Sequence, residues 1–398
     1  MNKDNSMRYT SLFFITYFLY YSGYCIFSSY MVPYLAENGY SASVSGVVTS
    51  LMMIASVLMQ PIAGYLTDTV LPARKYLTIT ILMVVILAII NSLSDSTSWL
   101  NIIIIIISAA FSYSFSNLMD AWVNRTKEVD TKISYSRIRA GGSIGFGITS
   151  ILFGHIVTTF GYRWFFLIQG GIFLLLMPFL YFLPDLELKN RRTDTKEKNI
   201  SFNRIFSVLL KDKKYCMILI IFTLYWMGHR PIGSYLSLIV RQRGGSDGLY
   251  GNICGIGAVV ECFLLIFMYR FKSLKRMDRL IFLTLCTSLL RPLLLLLIDG
   301  TIILYVGQIL QSISFALCYS VIVDAFSKFS DYRIKSFSIS VGLTVASVVG
   351  MTTANLVGGF AFDLLGENAT VWVSFLISAN NLLIFMLFFR KIIVEKNI

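Results

Sequence analysis

Apolar residues in this chain come in long unbroken runs, each closed by a short polar stretch. The first, Ser11 to Tyr34, is too long for the apolar core of a cleaved leader and has no small-residue cleavage site after it, so it reads as a membrane span. A helix of about 20 apolar residues crosses a hydrocarbon core about 30 Å thick. On that ruler the pattern predicts twelve spans, near 9–33, 43–66, 75–94, 100–124, 137–158, 162–183, 215–239, 248–270, 278–297, 301–325, 336–359 and 368–390.

Composition agrees. Of 398 residues, 56% are hydrophobic and 14% charged, against about 25% charged in soluble domains. The net charge of +13 is not gathered on one face, which argues against a nucleic-acid partner; it alternates with the spans. Arg74 and Lys75, Arg125 with Lys127 and Lys132, the 184–214 segment, Arg270 to Arg279, and Lys328 to Lys335 fall on one side. Glu37, the 91–99 link, Asp299-Gly300, Asp363 and Glu367 fall on the other, with Arg163, Arg241 and Arg243 as its basic residues. The positive-inside rule then puts both termini in the cytoplasm of a multi-pass protein of the cell membrane. The six cysteines have no metal-type spacing and read as small apolar side chains.

The longest polar segment follows the sixth span. It predicts an N-terminal six-helix bundle (1–183), a cytoplasmic linker (184–214) and a C-terminal six-helix bundle (215–398). The halves echo each other: FSNLMDAW (115–122) ends the fourth span and YSVIVDAF (319–326) ends the tenth. Such parallel repeats are the mark of transporters whose halves rock about a central site.

Ionisable groups inside spans are costly and mark ion or substrate pathways. Here they are Asp120, Arg137, Arg139, His229, Arg230, Glu261, Arg291 and Asp324. Arg137 and Arg139 stand two residues apart, so on a helix they point about 200° from each other and cannot share a partner. Arg137 is placed to snorkel to the interface. Arg139 lies deeper and calls for an acid on an adjacent helix, with Asp120 nearest; the pair either locks two spans together or binds substrate. The small residues Gly141, Gly142, Ser143, Gly145 and Gly147 predict close helix packing. In WMGHRPIGSY (226–235), Pro231 with Gly228 and Gly233 predicts a kink in span seven. His229, Arg230 and Asp324 are therefore candidates for a gate or a substrate contact, Arg230 meeting either an anionic group or an acid such as Asp324 or Glu261.

GYLTDTVLPARK (64–75) resembles the signature of the major facilitator superfamily between its second and third spans. The resemblance implies that Asp68, with Arg74, forms a conformational latch. The aromatic first span, QPIAGYLTD (60–68), DAWVN (120–124), YSRIRAGGSIGFG (135–147) and the isolated Arg291 together resemble the lactose permease-like oligosaccharide:proton symporters. That family's fold is all-α, with twelve transmembrane helices in two pseudo-symmetric bundles. The resemblance assigns Asp120 and Arg139 to sugar hydroxyls, Ser143 to the cavity lining and Phe146 to ring stacking, where the family has Trp. It assigns Arg291 to proton coupling. The family's span-ten His and Glu are replaced here by Gln311 and Ser314, and its span-eight acid, expected near Ala258, is absent; Glu261, about one turn later, is the candidate replacement.

The reading is therefore a secondary active transporter working by alternating access, a proton-coupled symporter taking up a sugar or oligosaccharide. It needs no cofactor beyond the proton gradient as energy source, and it acts as a monomer in the lipid bilayer. A nucleoside or small organic-acid transporter and a drug exporter are the alternatives within the superfamily. A membrane-embedded enzyme or receptor is the alternative of another class; no GxSxG, HExxH or clustered His and Asp supports an enzyme.

Overall fold

The computed structural model describes residues 3–184, 209, 211–270, 277–328 and 335–389. The expected linker lies, for residues 185–208 and 210, outside the described residues. All regular structure among the described residues is helical. Nine stretches among them are long and apolar enough to cross a membrane. Two of these, Tyr135–Phe182 and Phe337–Phe388, each hold two helices, broken at Gly161–Trp164 and at Leu365 and Gly366 respectively. With Asp247–Arg270 the spans number twelve, each within a few residues of its predicted place.

Side-chain caps start several of them. Ser41 accepts from the Val44 amide before Ala42–Thr69, Ser98 from Leu100 before Trp99–Val129, and Asp212 from Lys214 and Tyr215 before Lys213–Ser234. Each cap satisfies amides that the first turn leaves without partners.

The chain forms two compact units, Met1–Thr193 with Ser246–Val259, and Asp194–Gly245 with Val260–Ile398. In the first unit, span one (Lys3–Ser29) contributes Phe13, Tyr17 and Tyr20 to the core, span three (Ala73–Leu93) Leu77 and Ile81, and span four (Trp99–Val129) Phe115, Met119 and Trp122. Span five (Tyr135–Phe160) lies against span one so closely that a Cβ on Gly145 would run into the Phe18 carbonyl oxygen, and one on Gly141 would stand 2.6 Å from that of Phe14. Its opposite end meets the start of Asp247–Arg270 just as tightly: a Cβ on Gly251 would collide with the Ser150 carbonyl.

The second unit repeats this plan. Trp122 packs edge-on against Phe13, ring centroids 6.1 Å apart; Phe326, its counterpart in the DAW/DAF repeat, packs on Tyr215 and Phe222 of span seven at 5.5 and 5.9 Å. A second repeat emerges at the helix breaks. Span one breaks at Tyr30 (φ −99, ψ 6) before a short helix Met31–Glu37, and span seven breaks at Tyr235 (φ −105, ψ 12) before Leu236–Gln242. The Tyr30 hydroxyl donates to the Ser150 carbonyl at 2.5 Å, and the Tyr235 hydroxyl to the Asn355 carbonyl at 2.6 Å. Both short helices end at a glycine with positive φ, Gly39 (83°) and Gly244 (76°), a conformation that a side chain would strain. The break in span seven thus falls at Tyr235, while Pro231 stays inside the helix.

Candidate functional site

Span one carries Tyr17, Tyr21 and Tyr24 at i, i+4 and i+7, one face of a helix. Around that face the first unit gathers its ionisable groups. The Tyr17 hydroxyl donates to Asp120 Oδ1 at 2.5 Å, and the Tyr135 hydroxyl, from the first turn of span five, donates to the same oxygen at 2.9 Å. Two donors on one oxygen fix the orientation of the Asp120 carboxyl group between spans one and five.

Arg139 does not pair with Asp120 directly. Its guanidinium carbon stands 4.4 Å from the centroid of the Tyr21 ring, a cation–π contact that stabilises a desolvated charge by about 0.5–2 kcal/mol. Tyr21 in turn touches Tyr17, centroids 6.2 Å apart. The expected acid–base pair is therefore connected through a layer of tyrosines, for which Gly142 makes room. A Cβ there would come within 2.5 Å of the Tyr21 ring and 3.0 Å of Arg139 NH1. Arg137, by contrast, is exposed, as an interfacial anchor should be.

Ser143 and Phe146 follow Arg139 at i+4 and i+7 on the same helical face, and both are half-buried. The aromatic wall continues through Tyr24 to Tyr113 of span four (5.0 Å) and through Tyr20, whose ring stacks on Phe115 at 4.9 Å. Tyr20 is fully buried core, while Tyr21 and Tyr24 remain half-buried.

Two different tests follow from the glycines. Gly145→Ala is expected to lower stability by about 1–3 kcal/mol, because a backbone carbonyl cannot move aside, read as a reduced thermal midpoint. Gly142→Ala is expected to weaken substrate binding more than stability, since the added methyl displaces Tyr21 and Arg139; ligand titration of the two variants separates these effects.

In the second unit Arg291, 2% exposed in span nine (Met277–Leu297), donates from NH2 to Gln308 Oε1 at 3.3 Å. Gln308 Nε2 donates to Gln311 Oε1 at 2.6 Å. Ser314, one turn on, hydrogen-bonds the Tyr225 hydroxyl at 3.3 Å and the Thr284 carbonyl at 3.2 Å. The two positions where the family resemblance lost its His and Glu thus remain in a polar stripe facing spans seven and nine. His229 is buried, its ring stacked on Tyr225 at 5.1 Å. Its neighbour Arg230 is exposed, so these adjacent residues serve different surroundings. Glu261 is half-buried in Asp247–Arg270, and Asp324 is exposed. The DAW/DAF repeat thus carries two acids in unlike settings, and of these it is Asp120 that tyrosine hydroxyls hold.

Farther along span four, beyond Asp120 and near the helix end, Arg125 forms an ion pair with Asp68. Arg74, the expected companion in the latch, turns elsewhere: its NH2 donates to the Leu183 carbonyl and its guanidinium stands 5.8 Å from the Tyr181 ring centroid. The side chains of the Arg125–Asp68 pair are 30% and 45% exposed, so its coupling energy is expected to be only about 0.2–1 kcal/mol. A double-mutant cycle on Asp68→Asn and Arg125→Gln, read by transport rate, should be non-additive, whereas Arg74→Gln should add independently to Asp68→Asn.

A model of the MFS_1 like family matches residues 9–373. The chain is 23% identical over 327 residues to the uncharacterized transporter YwbF of Bacillus subtilis (strain 168), covering 82% of this chain and 80% of that one. Two structures of the nucleoside transporter NupG share the fold. One aligns with a TM-score of 0.81 at 15% identity, over 98% of this chain and 99% of its own, and the other, a point mutant of the same transporter, with 0.79 at 17%, over 96% and 100%. A POT family transporter in complex with 5-aminolevulinic acid aligns with a TM-score of 0.73 at 13% identity, over 97% of each chain.

Proposed function

The chain belongs to the MFS_1 like family and is a multi-pass transporter of the major facilitator type, and from that premise we propose that it takes up a sugar or oligosaccharide together with protons. The observation that carries this reading is the Asp120 carboxylate capped by two hydroxyls, beside a guanidinium laid on an aromatic ring. A carboxylate that already accepts from the Tyr17 and Tyr135 hydroxyls presents the acceptor geometry that a sugar hydroxyl needs. Arg139 supplies donors to the same hydroxyls, which both donate and accept. Ser143 lines the site, and Phe146 offers an apolar face for a sugar ring, as does Tyr24.

In this reading Glu261 carries the proton and Arg291 takes part in the same coupling step. Asp68 with Arg125 holds one conformation of the alternating-access cycle. His229 and Arg230, beside Pro231, accompany movement of span seven. The transporter works as a monomer in the cell membrane with both termini in the cytoplasm.

A nucleoside is the second reading, favoured by the continuous tyrosine wall from Tyr20 to Tyr113. A ribose presents vicinal hydroxyls to Asp120 while a planar base stacks on the rings. The likeness to NupG supports the fold, and its substrate makes nucleosides a sensible panel.

Uptake of labelled sugars and nucleosides into proteoliposomes, with and without an imposed pH gradient, tests both. Wild type is expected to accumulate its substrate only with the gradient. Glu261→Gln should keep counterflow and lose accumulation. Uptake indifferent to both gradient and substitution would overturn proton coupling, and the class of compound that competes would decide between sugar and nucleoside.

A further inference from the structure

Spans three and six leave a cleft of ≈ 460 Å³ at the end of the first unit where the basic residues gather. Arg74 and Thr78, one turn apart, line it from Ala73–Leu93, and Leu174, Met177, Pro178 and Tyr181 line it from Phe165–Phe182. The four span-six residues lie at i, i+3, i+4 and i+7, so they form a single stripe along one helix. Leu174 and Tyr181 are 48% and 71% exposed. In a membrane protein such surfaces face lipid, and the cleft opens toward the bilayer.

Its chemistry is graded along its length. At the basic end the Arg74 guanidinium is held by the Leu183 carbonyl and by the Tyr181 ring, with exposed Lys75 next to it. Deeper in the membrane the lining is hydrocarbon from Leu174, Met177 and Pro178. A fixed cation above an apolar trough complements one kind of molecule, an anionic headgroup with an acyl chain below it. Basic pockets between membrane helices recognise acidic lipid headgroups in this way. The cleft volume also lies within the range of about 300–1,000 Å³ common to small-molecule sites.

We propose that this cleft between spans three and six is a selective site for an anionic phospholipid, with the lipid phosphate on Arg74 and one acyl chain along Leu174, Met177 and Pro178. The site is separate from the Asp120–Arg139 cluster and stands independently of which solute the protein carries.

Native mass spectrometry of the full chain, released from equimolar phosphatidylglycerol and phosphatidylcholine, tests the assignment. Phosphatidylglycerol should be retained in preference to phosphatidylcholine by roughly five- to thirtyfold, the effect expected of one or two basic side chains near the surface. Two variants that act differently should each abolish that preference. Arg74→Gln removes the charge, and Leu174→Trp fills the trough with the charge left in place. Equal retention of the two lipids by wild type, or undiminished selectivity in Leu174→Trp, would overturn the proposal. Inorganic phosphate that displaces phosphatidylglycerol at equal concentration would assign the site to a soluble anion and likewise overturn it.

Discussion

Asp120→Asn is expected to weaken substrate binding about five- to tenfold, measured as the half-saturation concentration for counterflow, because a charged acceptor is replaced by a neutral one. Hydrogen bonds to charged groups are worth about 1.5–3 kcal/mol and neutral ones about 0.5–1.5, and each 1.4 kcal/mol is about tenfold in affinity. Tyr17→Phe should behave differently. In the structure the Tyr17 hydroxyl occupies the carboxylate oxygen that a substrate hydroxyl would take. If it is a placeholder, Phe removes a competitor, and binding is unchanged or tighter. Should Tyr17→Phe prove as damaging as Asp120→Asn, the cluster would be a structural fastening of spans one, four and five. Arg139→Lys sharpens the comparison, since lysine keeps the charge and loses the planar fork that grips paired hydroxyls and lies flat on Tyr21. Normal binding by Arg139→Lys would likewise remove that residue from the site.

The parts of this arrangement that were legible in the sequence are those that violate the membrane's chemistry. Run length fixed the twelve spans, because nothing else crosses lipid without exposing backbone polar groups. Asp120 and Arg139 stood out as charges in apolar runs. Their connection did not, because it is made by tyrosines, and a tyrosine in an apolar span looks like any other large core residue. Tyr135 stands one turn before Arg139, at i, i+4 from a charge, and is legible on that spacing; Tyr17 lies one turn before Tyr21 in an apolar run with no charge of its own to mark it. Asp68 stood out as the acid of the 64–75 signature, yet its ion-pair partner Arg125 was hidden among the basic residues that set topology. Local sequence cannot show that two helix ends come together in space. The Ser-Tyr pairs at 29–30 and 234–235 hold the clearest internal repeat after the DAW/DAF pair. The residues around them differ, so the sequence alone does not mark the repeat, whereas the backbone break and the tyrosine-to-carbonyl hydrogen bond are the same.

Arg243→Met is expected to destabilise the second unit by about 3 kcal/mol, near the lower end of the cost of stripping one partner from a buried ion pair. Arg243 lies just beyond Leu236–Gln242, and its side chain is 5% exposed. Its Nε donates to both Glu367 oxygens, at 3.2 and 3.0 Å, and its NH2 to the Leu295 carbonyl at 2.9 Å. NH1 reaches the carbonyls of Ile298 and Gly300, both at 3.3 Å. One guanidinium therefore ties the end of span seven to the turn after span nine and to the break at Gly366. That break is itself held by the Gln242 side chain, which accepts from the Glu367 amide at 2.7 Å. Methionine retains most of the apolar stem, so the loss is confined to the polar contacts. Glu367 keeps 17% of its side-chain exposure, and water reaching it moderates the penalty. Arg243→Lys should fall between, satisfying the charge with fewer and less directed donors. Arg163, exposed at the predicted same side of the membrane, provides the control: Arg163→Met should leave the unfolding midpoint unchanged. If Arg243→Met also leaves it unchanged, the clamp contributes nothing and the unit is held by its core of Tyr215, Phe222 and Phe326. If the midpoint falls while counterflow persists below it, the clamp is a fastening of the fold and takes no part in transport itself.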